Sequence, residues 1–363
     1  MNAQNMKTNT KKYNKDGYIV DFEDKIPFWE RVKTKVFSVY FLTNVVWYLF
    51  RLLLLIGISF VILYPFLSKI AGSFMAPEDF LDITVNIIPK HFTLQTYTAI
   101  FVENHYAEAF LNTALLSLLC ALLQTFVCCL IGYGLAKFKF KGNKLILLMV
   151  VLTMIVPHGT LRLSMFLHFE NFNPGAVSGW HIPGILSPVT WLINQFSDKP
   201  FSGFSLTDTF WPMILLSVFG LGFKNGLYIF MMRQFFQGVP DELEESAYVD
   251  GSNTYRTFFQ IILPLSVPMM ITIFLFSFSW QWTDNFYTNL FFLSGSDTIL
   301  MPDLLESTPS TLQAFIDSGA THPSFPVAIR NTCGIMIILP LVVLYLFCQK
   351  YLVQGIERSG IVG

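Results

Sequence analysis

The sequence predicts an all-α integral membrane protein with six transmembrane helices, and three observations lead to that prediction. Hydrophobic residues make up 53% of the 363 positions and charged residues only 13%, against about 25% charged in ordinary soluble domains. Charged residues are absent from whole stretches such as 109–136, and about 20 apolar residues suffice for a helix to cross the hydrocarbon core. Lys and Arg also cluster in alternate segments between these stretches. A soluble enzyme is therefore excluded.

The six charge-poor intervals define the predicted spans in order. They lie at about 45–68, 109–136, 145–167, 209–232, 257–283 and 327–349. Residues 1–44 precede them as a polar, lysine-rich tail followed by charges alternating with Phe and Trp. This pattern predicts a cytoplasmic N-terminal tail and a juxtamembrane helix on the inner surface, followed by a transmembrane domain over 45–363.

The fourth interval differs from the others because Lys224 and Arg233 interrupt it. A lysine in mid-membrane costs about 2.5–3.5 kcal/mol unless it snorkels or faces protein or water. The sequence leaves two interpretations of Lys224 open. It reaches the inner interface or a neighbouring helix as a structural residue, or it takes part in a translocation path.

The orientation follows from the distribution of basic residues. Lys and Arg are enriched in short cytoplasmic segments. With the N-terminus inside, only five of the 23 Lys and Arg residues fall outside: Lys69, Lys90, Arg162, Lys199 and Arg330. We therefore expect a multi-pass protein with both termini in the cytoplasm.

Several other functions are disfavoured. A net charge of −1 with no basic patch argues against nucleic acid as a partner. The five cysteines lie inside predicted spans and the six histidines form no HExxH pattern, so no metal site is predicted. The chain has no Gly-x4-Gly-Lys-[Ser/Thr] loop to hold a nucleotide phosphate. We therefore expect no catalytic residues and no cofactor bound by this chain.

The cytoplasmic segment 233–256 carries the clearest local pattern. Pro240 is suited to the first turn of a helix, and four acidic residues follow near its positive end: Asp241, Glu242, Glu244 and Glu245. Gly251 predicts the helix end, because glycine adopts the left-handed conformation without penalty. Ser252 or Asn253 can then cap the next helix. The result is a helix of about ten residues across the inner face.

The spacing of this helix also predicts a face. Leu243, Ala247 and Tyr248 form an apolar face beside an acidic one. The pattern alone leaves two interpretations open: the helix docks a partner, or it is a solvated acidic connector.

The longer pattern in this region resembles the EAA motif of importer-type ABC permeases. The motif is E-A-A, three residues, G, nine residues, I-x-L-P. The sequence reads Glu245-Ser246-Ala247, three residues, Gly251, nine residues, and Ile261-Ile262-Leu263-Pro264. Ser246 replaces the usual alanine, which is a small-for-small change. The basic turn at 135–142 and the end at 349–363 are similar to those of MalG-type carbohydrate permeases, so the resemblance covers about 90–363.

The resemblance implies a type I ABC importer permease fold in a bacterial cell (inner) membrane, surrounded by lipid. It implies a homologous second permease, a cytoplasmic ABC ATPase dimer that uses ATP and Mg, and an extracellular or periplasmic solute-binding protein. The residues that would couple this chain to the ATPase are Leu243, Glu244, Glu245, Ser246, Ala247, Tyr248, Asp250, Gly251, Ile261, Leu263 and Pro264.

The resemblance also implies a carbohydrate, an oligosaccharide or a glycoside, as the transported solute. The end of the fifth predicted span is both aromatic and hydrogen-bonding, which suits a sugar. Its candidate pathway residues are Ser279, Trp280, Trp282, Asn285 and Tyr287. Trp and Tyr are also enriched at membrane interfaces whatever the function, so an interfacial belt remains the alternative.

A secondary carrier or channel that works alone is the competing class. Ion-coupled carriers commonly use intramembrane carboxylates or discontinuous helices. The six predicted spans contain no Asp or Glu, which favours the ATP-driven importer over an ion-coupled carrier. The outer segment at about 168–208 is longer than a connector needs, and we expect it to fold over the outer mouth and to contribute to docking the binding protein.

Overall fold

The computed structural model describes residues 12–13, 19–20, 39–172, 205–293, 296–319 and 321–358. The chain divides into two compact units, Met1–Leu67 and Ser68–Gly363. The first unit contains an antiparallel pair of two-residue strands, β1 (Lys12–Tyr13) and β2 (Ile19–Val20). It also contains most of the first long helix, α1 (Val39–Ser73).

The second unit is helical. Its α-helices are α2 (Gln95–Glu103), α3 (Tyr106–Lys137), α4 (Asn143–Ile155), α5 (Arg162–Glu170), α6 (Trp211–Val218), α7 (Asn225–Gln237), α8 (Glu242–Val249), α9 (Thr254–Trp282), α10 (Thr288–Phe291), α11 (Ser310–Asp317) and α12 (Phe325–Arg358). Short 3₁₀ turns lie at Pro77–Phe80, His158–Leu161 and Met301–Leu305. Among the described residues of this unit, the pairing of extended backbone is limited to one bridge between Met75 and Phe92. The all-α prediction is confirmed for this unit.

Four described helices are long and apolar enough to cross a membrane: Thr43–Ser73, Tyr106–Lys137, Thr254–Trp282 and Phe325–Tyr351. They cover the first, second, fifth and sixth predicted intervals. A fifth crossing results if α4 and the helical segment His158–Glu170, bent by 93°, are taken as one span. The bend falls at Pro157, which cannot donate a backbone hydrogen bond and restricts the residue before it.

The fourth predicted span differs most from the expectation. Instead of one helix over 209–232, the structure has α6 and α7 with a break between Val218 and Asn225. Gly220 and Lys224 in this break have φ angles of 70° and 68°, and the left-handed conformation interrupts an α-helix. A continuous helix here was therefore the wrong prediction.

Helix α3 is the centre of the unit and packs against α6, α7 and α9. Gln124 joins three of these helices inside the protein. Its amide donates to Ser217 Oγ on α6 at 3.0 Å and its carbonyl accepts from Ser277 Oγ on α9 at 2.6 Å. Two turns further along α3, Gly132 allows a close approach to α7. A Cβ added to Gly132 would lie only 2.5 Å from Met232 Cβ, so a larger residue would separate the two helices.

The long outer segment at about 168–208 lies mostly outside the described residues. Its ends are described, and Leu206 N donates to Phe169 O at 2.9 Å. Its predicted role at the outer mouth stays a prediction.

Candidate functional site

Helix α8 has the ends that the sequence predicts. Three acidic residues lie in its first turn, where the helix dipole favours negative charge. At its end Gly251 has a φ of 83°. Ser252 N donates to Ala247 O at 2.9 Å and Gly251 N to Tyr248 O at 3.0 Å. These two bonds form a Schellman motif, which terminates the helix and turns the chain sharply.

The next helix begins immediately after this turn. Asn253 Oδ1 accepts a hydrogen bond from Arg256 N at 2.8 Å and caps α9. The first part of α9 then widens into a π-helical turn at Phe258–Ile262. Ile261 and Leu263 pack partly buried against the core, while Pro264 is exposed. The second half of the EAA-like pattern therefore fixes the junction between α8 and the membrane-spanning part of α9.

The inner face of α8 is held on α3 by polar contacts. Glu244 and Ala247 are the buried residues of the helix, at 8% and 4% exposure. Tyr133 on α3 donates its hydroxyl to Glu244 Oε2 at 3.2 Å. Lys137 Nζ lies 3.8 Å from Glu244 Oε1. These contacts compensate for burying a carboxylate, which is costly when it has no partner.

Lys137 also holds the start of the segment. Its ammonium donates to Val239 O at 2.6 Å and to Asp241 Oδ1 at 2.5 Å. The hydrogen bond and charge of Lys137 lower the pKa of the exposed Asp241 carboxyl. The last residue of α3 thus connects to both ends of the turn that leads into α8.

The outer face of α8 is exposed in the part of the chain that the structure describes. Leu243 and Tyr248 are each 40% exposed, and Glu245 is exposed. Ser246 and Asp250 are exposed as well, with Ser246 Oγ donating to its own helix. The predicted apolar face is therefore divided. Ala247 is buried and Leu243 is exposed, while Tyr248 is partly exposed and its hydroxyl meets that of Tyr133 on α3.

The candidate pathway residues near the end of α9 do not form one surface. Trp282 is buried, and its indole N–H donates to Ile337 O at 2.9 Å. Tyr287 is also buried, and its hydroxyl has no partner among the described residues. Ser279 donates to Leu275 O in its own helix at 2.7 Å.

Trp280 and Asn285, by contrast, are exposed. Lys224 Nζ lies 5.0 Å from the centroid of the Trp280 ring. Trp280 is about 25 Å along α9 from Leu263, at 1.5 Å per residue. The sequence grouped Lys224 with the basic residues on the side of segment 233–256. In the structure, the break after α6 brings it beside Trp280 on a neighbouring helix, at the end of α9 away from α8.

Sequence reasoning missed the two residues that hold α8 in place. Lys137 was interpreted only as part of a basic cytoplasmic turn, and Tyr133 was not singled out. Their spacing of four residues puts both on one face of α3, which is a signal that could have been used. Their partner in α8 lies more than a hundred residues away, so the pairing itself had no local signature.

Comparison with known proteins places the chain in a family. The family model described as "Binding-protein-dependent transport system inner membrane component" matches residues 129–358. The chain is 25% identical over 313 residues to the polygalacturonan/rhamnogalacturonan transport system permease protein YtcP of Bacillus subtilis, covering 85% of this chain and 96% of the relative. It is 28% identical over 320 residues to the galactooligosaccharides transport system permease protein GanQ of Bacillus subtilis, covering 87% and 95%.

A solved structure gives the same result at the level of the fold. The structure of a bacterial ABC transporter involved in the import of the acidic polysaccharide alginate contains a chain that superimposes with a TM-score of 0.61 at 17% identity. The match covers 85% of this chain and 97% of that chain. Since the family model spans more than half of the sequence and includes the whole of segment 233–256, this chain belongs to the family of binding-protein-dependent transport system inner membrane components.

Proposed function

We propose that this chain is a permease subunit of an ATP-driven ABC importer of oligosaccharides and that α8 is its coupling helix. The family assignment supports the transport function. The two relatives above are named for galactooligosaccharides and for polygalacturonan/rhamnogalacturonan, which supports a carbohydrate as the solute.

One observation carries the coupling role: α8 has a fixed inner face and a free outer face. Glu244 bonds to Tyr133 on α3 and Ala247 is buried, while Leu243 and Glu245 are exposed. A helix that were only a solvated connector would not need a buried carboxylate with two partners. Because α8 is attached firmly to α3, a force applied to its outer face is transmitted to α3 and, through the capped junction, to α9.

The proposed assembly has four kinds of component. This chain and a homologous second permease form the translocation pathway in the bacterial cell membrane, with both termini of this chain in the cytoplasm and lipid around the spans. A cytoplasmic ATPase dimer binds ATP and Mg and receives α8 in a cleft. A solute-binding protein delivers the sugar from outside. ATP-driven closure of the dimer then moves α8 and alternates the access of the pathway.

The experiment combines genetics with purification. A strain lacking this chain is tested for uptake of a panel of oligosaccharides, and a tagged copy that restores uptake is purified from membranes. We expect loss of uptake for at least one oligosaccharide and co-purification of an ATPase and a second permease. The chain purified alone should not hydrolyse ATP. Uptake by this chain reconstituted alone in liposomes would instead establish a stand-alone carrier or channel.

A further inference from the structure

Two interrupted helix pairs, α4 with α5 and α6 with α7, lie against one another, and we take them as the two broken spans of the chain. The break between α4 and α5 contains His158, and the break between α6 and α7 contains Phe223. Their ring centroids are 4.8 Å apart. In secondary transporters, discontinuous helices commonly form the solute site, because they expose backbone polar groups and helix ends inside the membrane region. The same physical reason applies to breaks in any membrane transport protein.

A cavity of about 640 Å³ lies between these breaks. Ligand pockets commonly measure about 300–1,000 Å³. Its lining is mostly apolar, and its polar side chains include Thr153, His158 and Lys224. Gly226 and Leu227 in the first turn of α7 also line it, so the positive end of that helix faces the same space.

Lys224 is the cation of this cavity and has no carboxylate partner within ion-pair distance among the residues that the structure describes. Its Nζ lies instead 4.9 Å from the ring centroid of Phe223 and 5.0 Å from that of Trp280. The residue also has a φ of 68°, a conformation that costs a non-glycine residue roughly 1–3 kcal/mol. An unpaired ionisable group among spans is retained chiefly where it serves a function.

Two further polar groups near the break between α6 and α7 lack partners, although neither lines the cavity. The side-chain amide of Asn225, at 1% exposure, forms no hydrogen bond in the described structure. The Tyr287 hydroxyl is likewise buried and unpaired, and its ring lies 6.1 Å from Phe223 and 6.4 Å from His158. Orphaned buried polar groups are uncommon in folded proteins. They surround the same break as Lys224.

We propose that this cavity is a binding subsite for a sugar unit that carries a carboxylate, and that Lys224 is the residue that selects for the charge. The inference rests on the proposed function and specifies its substrate class as acidic oligosaccharides. The ammonium of Lys224 pairs with the carboxylate, and the rings of Phe223 and Trp280 beside the ammonium suit the CH faces of a sugar ring. A lipid headgroup would satisfy the charge but would make no use of the flat aromatic surface.

The test measures binding to the complete transporter without the binding protein, in nanodiscs of phosphatidylcholine. The probes are trigalacturonate and its neutral counterpart galactotriose, titrated by calorimetry. We expect trigalacturonate to bind the parent more tightly than galactotriose does. Lys224→Gln should weaken trigalacturonate binding by about ten-fold or more, as for the loss of a charged hydrogen bond. Lys224→Arg should retain most of the affinity. Lys69→Gln, at an exposed lysine of α1, is the matched control.

Three results would overturn the proposal. Trigalacturonate does not bind the parent, or Lys224→Gln binds it as the parent does, or native mass spectrometry shows a phosphatidylglycerol that the parent retains against trigalacturonate and Lys224→Gln loses. The last result would identify a lipid site. If the deletion strain loses uptake of an oligosaccharide while any of these holds, the proposed function stands and this inference alone fails.

Discussion

The coupling segment and the pair of broken spans are built in opposite ways. In segment 233–256, short-range bonds define the helix ends through a Schellman motif at Gly251 and a side-chain cap at Asn253. Glu244 adds a long-range bond to Tyr133 of α3, although its Oε1 has no hydrogen bond among the described residues. At the breaks, buried polar groups lack partners, as at Asn225, and Lys224 adopts a strained backbone conformation.

This structural difference fits the two functions proposed above, coupling for α8 and solute binding for the breaks. A helix that transmits force needs rigid attachment, since a loose contact would absorb the movement. A site that binds and releases a solute needs groups whose hydrogen bonds are completed by the ligand. Each prediction below alters one of these properties at one of the two regions.

The largest effect is expected for Glu245→Lys on the outer face of α8. The side chain is exposed in this chain, so the substitution leaves the fold intact and reverses the charge that the proposed coupling helix would present to an ATPase. Loss of a charge pair at an interface costs about 2–5 kcal/mol. We expect loss of uptake and of ATPase co-purification at a matched membrane level.

The control for this change is Glu242→Lys, which makes the same charge change on the exposed first turn of α8. If Glu245→Lys transports like the parent while Gly251→Val does not, the helix docks through Leu243 and Tyr248 instead of through its charge. If both behave like the parent, α8 is a solvated connector.

The second effect concerns the fit of the helices at the breaks. A Cβ on Gly226 would lie 2.5 Å from Thr153 Oγ1 and 3.0 Å from Val150 O, so Gly226→Leu must separate α4 from α7. Overpacking of this kind costs about 1–3 kcal/mol. We expect a lower melting temperature of the purified protein and less of it in the membrane. Gly159→Leu, at a glycine with nothing within 4 Å of its added Cβ, should change neither.

The two regions also differ in how well the sequence predicts them. Gly251 and Asn253 were predicted to end one helix and to cap the next, because such signals depend on neighbouring residues alone. The sequence marked the fourth interval as interrupted by Lys224 and Arg233 but still predicted a single helix there, since an apolar interval of this length equally fits a continuous helix. The geometry of the break depends on the close approach of Gly222 to Gln124 of α3 and of Gly226 to α4, which no local pattern encodes.

The third effect tests the turn at the end of α8. Gly251→Val places a β-branched residue at a φ of 83°, which costs about 1–2 kcal/mol. The chain escapes this strain by changing the direction of α8. We expect reduced uptake with a normal membrane level, whereas Gly251→Asn should stay near the parent, because asparagine tolerates the left-handed conformation. Equal uptake by the parent, Gly251→Val and Gly251→Asn would mean that the direction of α8 does not affect transport.

The smallest effect is expected for Tyr133→Phe, which removes one hydrogen bond from the inner face of α8 and leaves the contact of Lys137 with Glu244 in place. A single bond of this kind contributes about 1 kcal/mol. If the attachment of α8 to α3 makes α8 a rigid lever, loss of this hydrogen bond should increase the local opening of α8 by about five-fold. The opening is measured as hydrogen–deuterium exchange of the amides in 242–249.

Tyr255→Phe, at a residue that is 79% exposed, serves as the control. The exchange of α6 and α7 should not change in either variant. Faster exchange at the breaks as well would show that the two regions open as one unit, and the contrast between a rigid lever and an independent binding site would then be wrong.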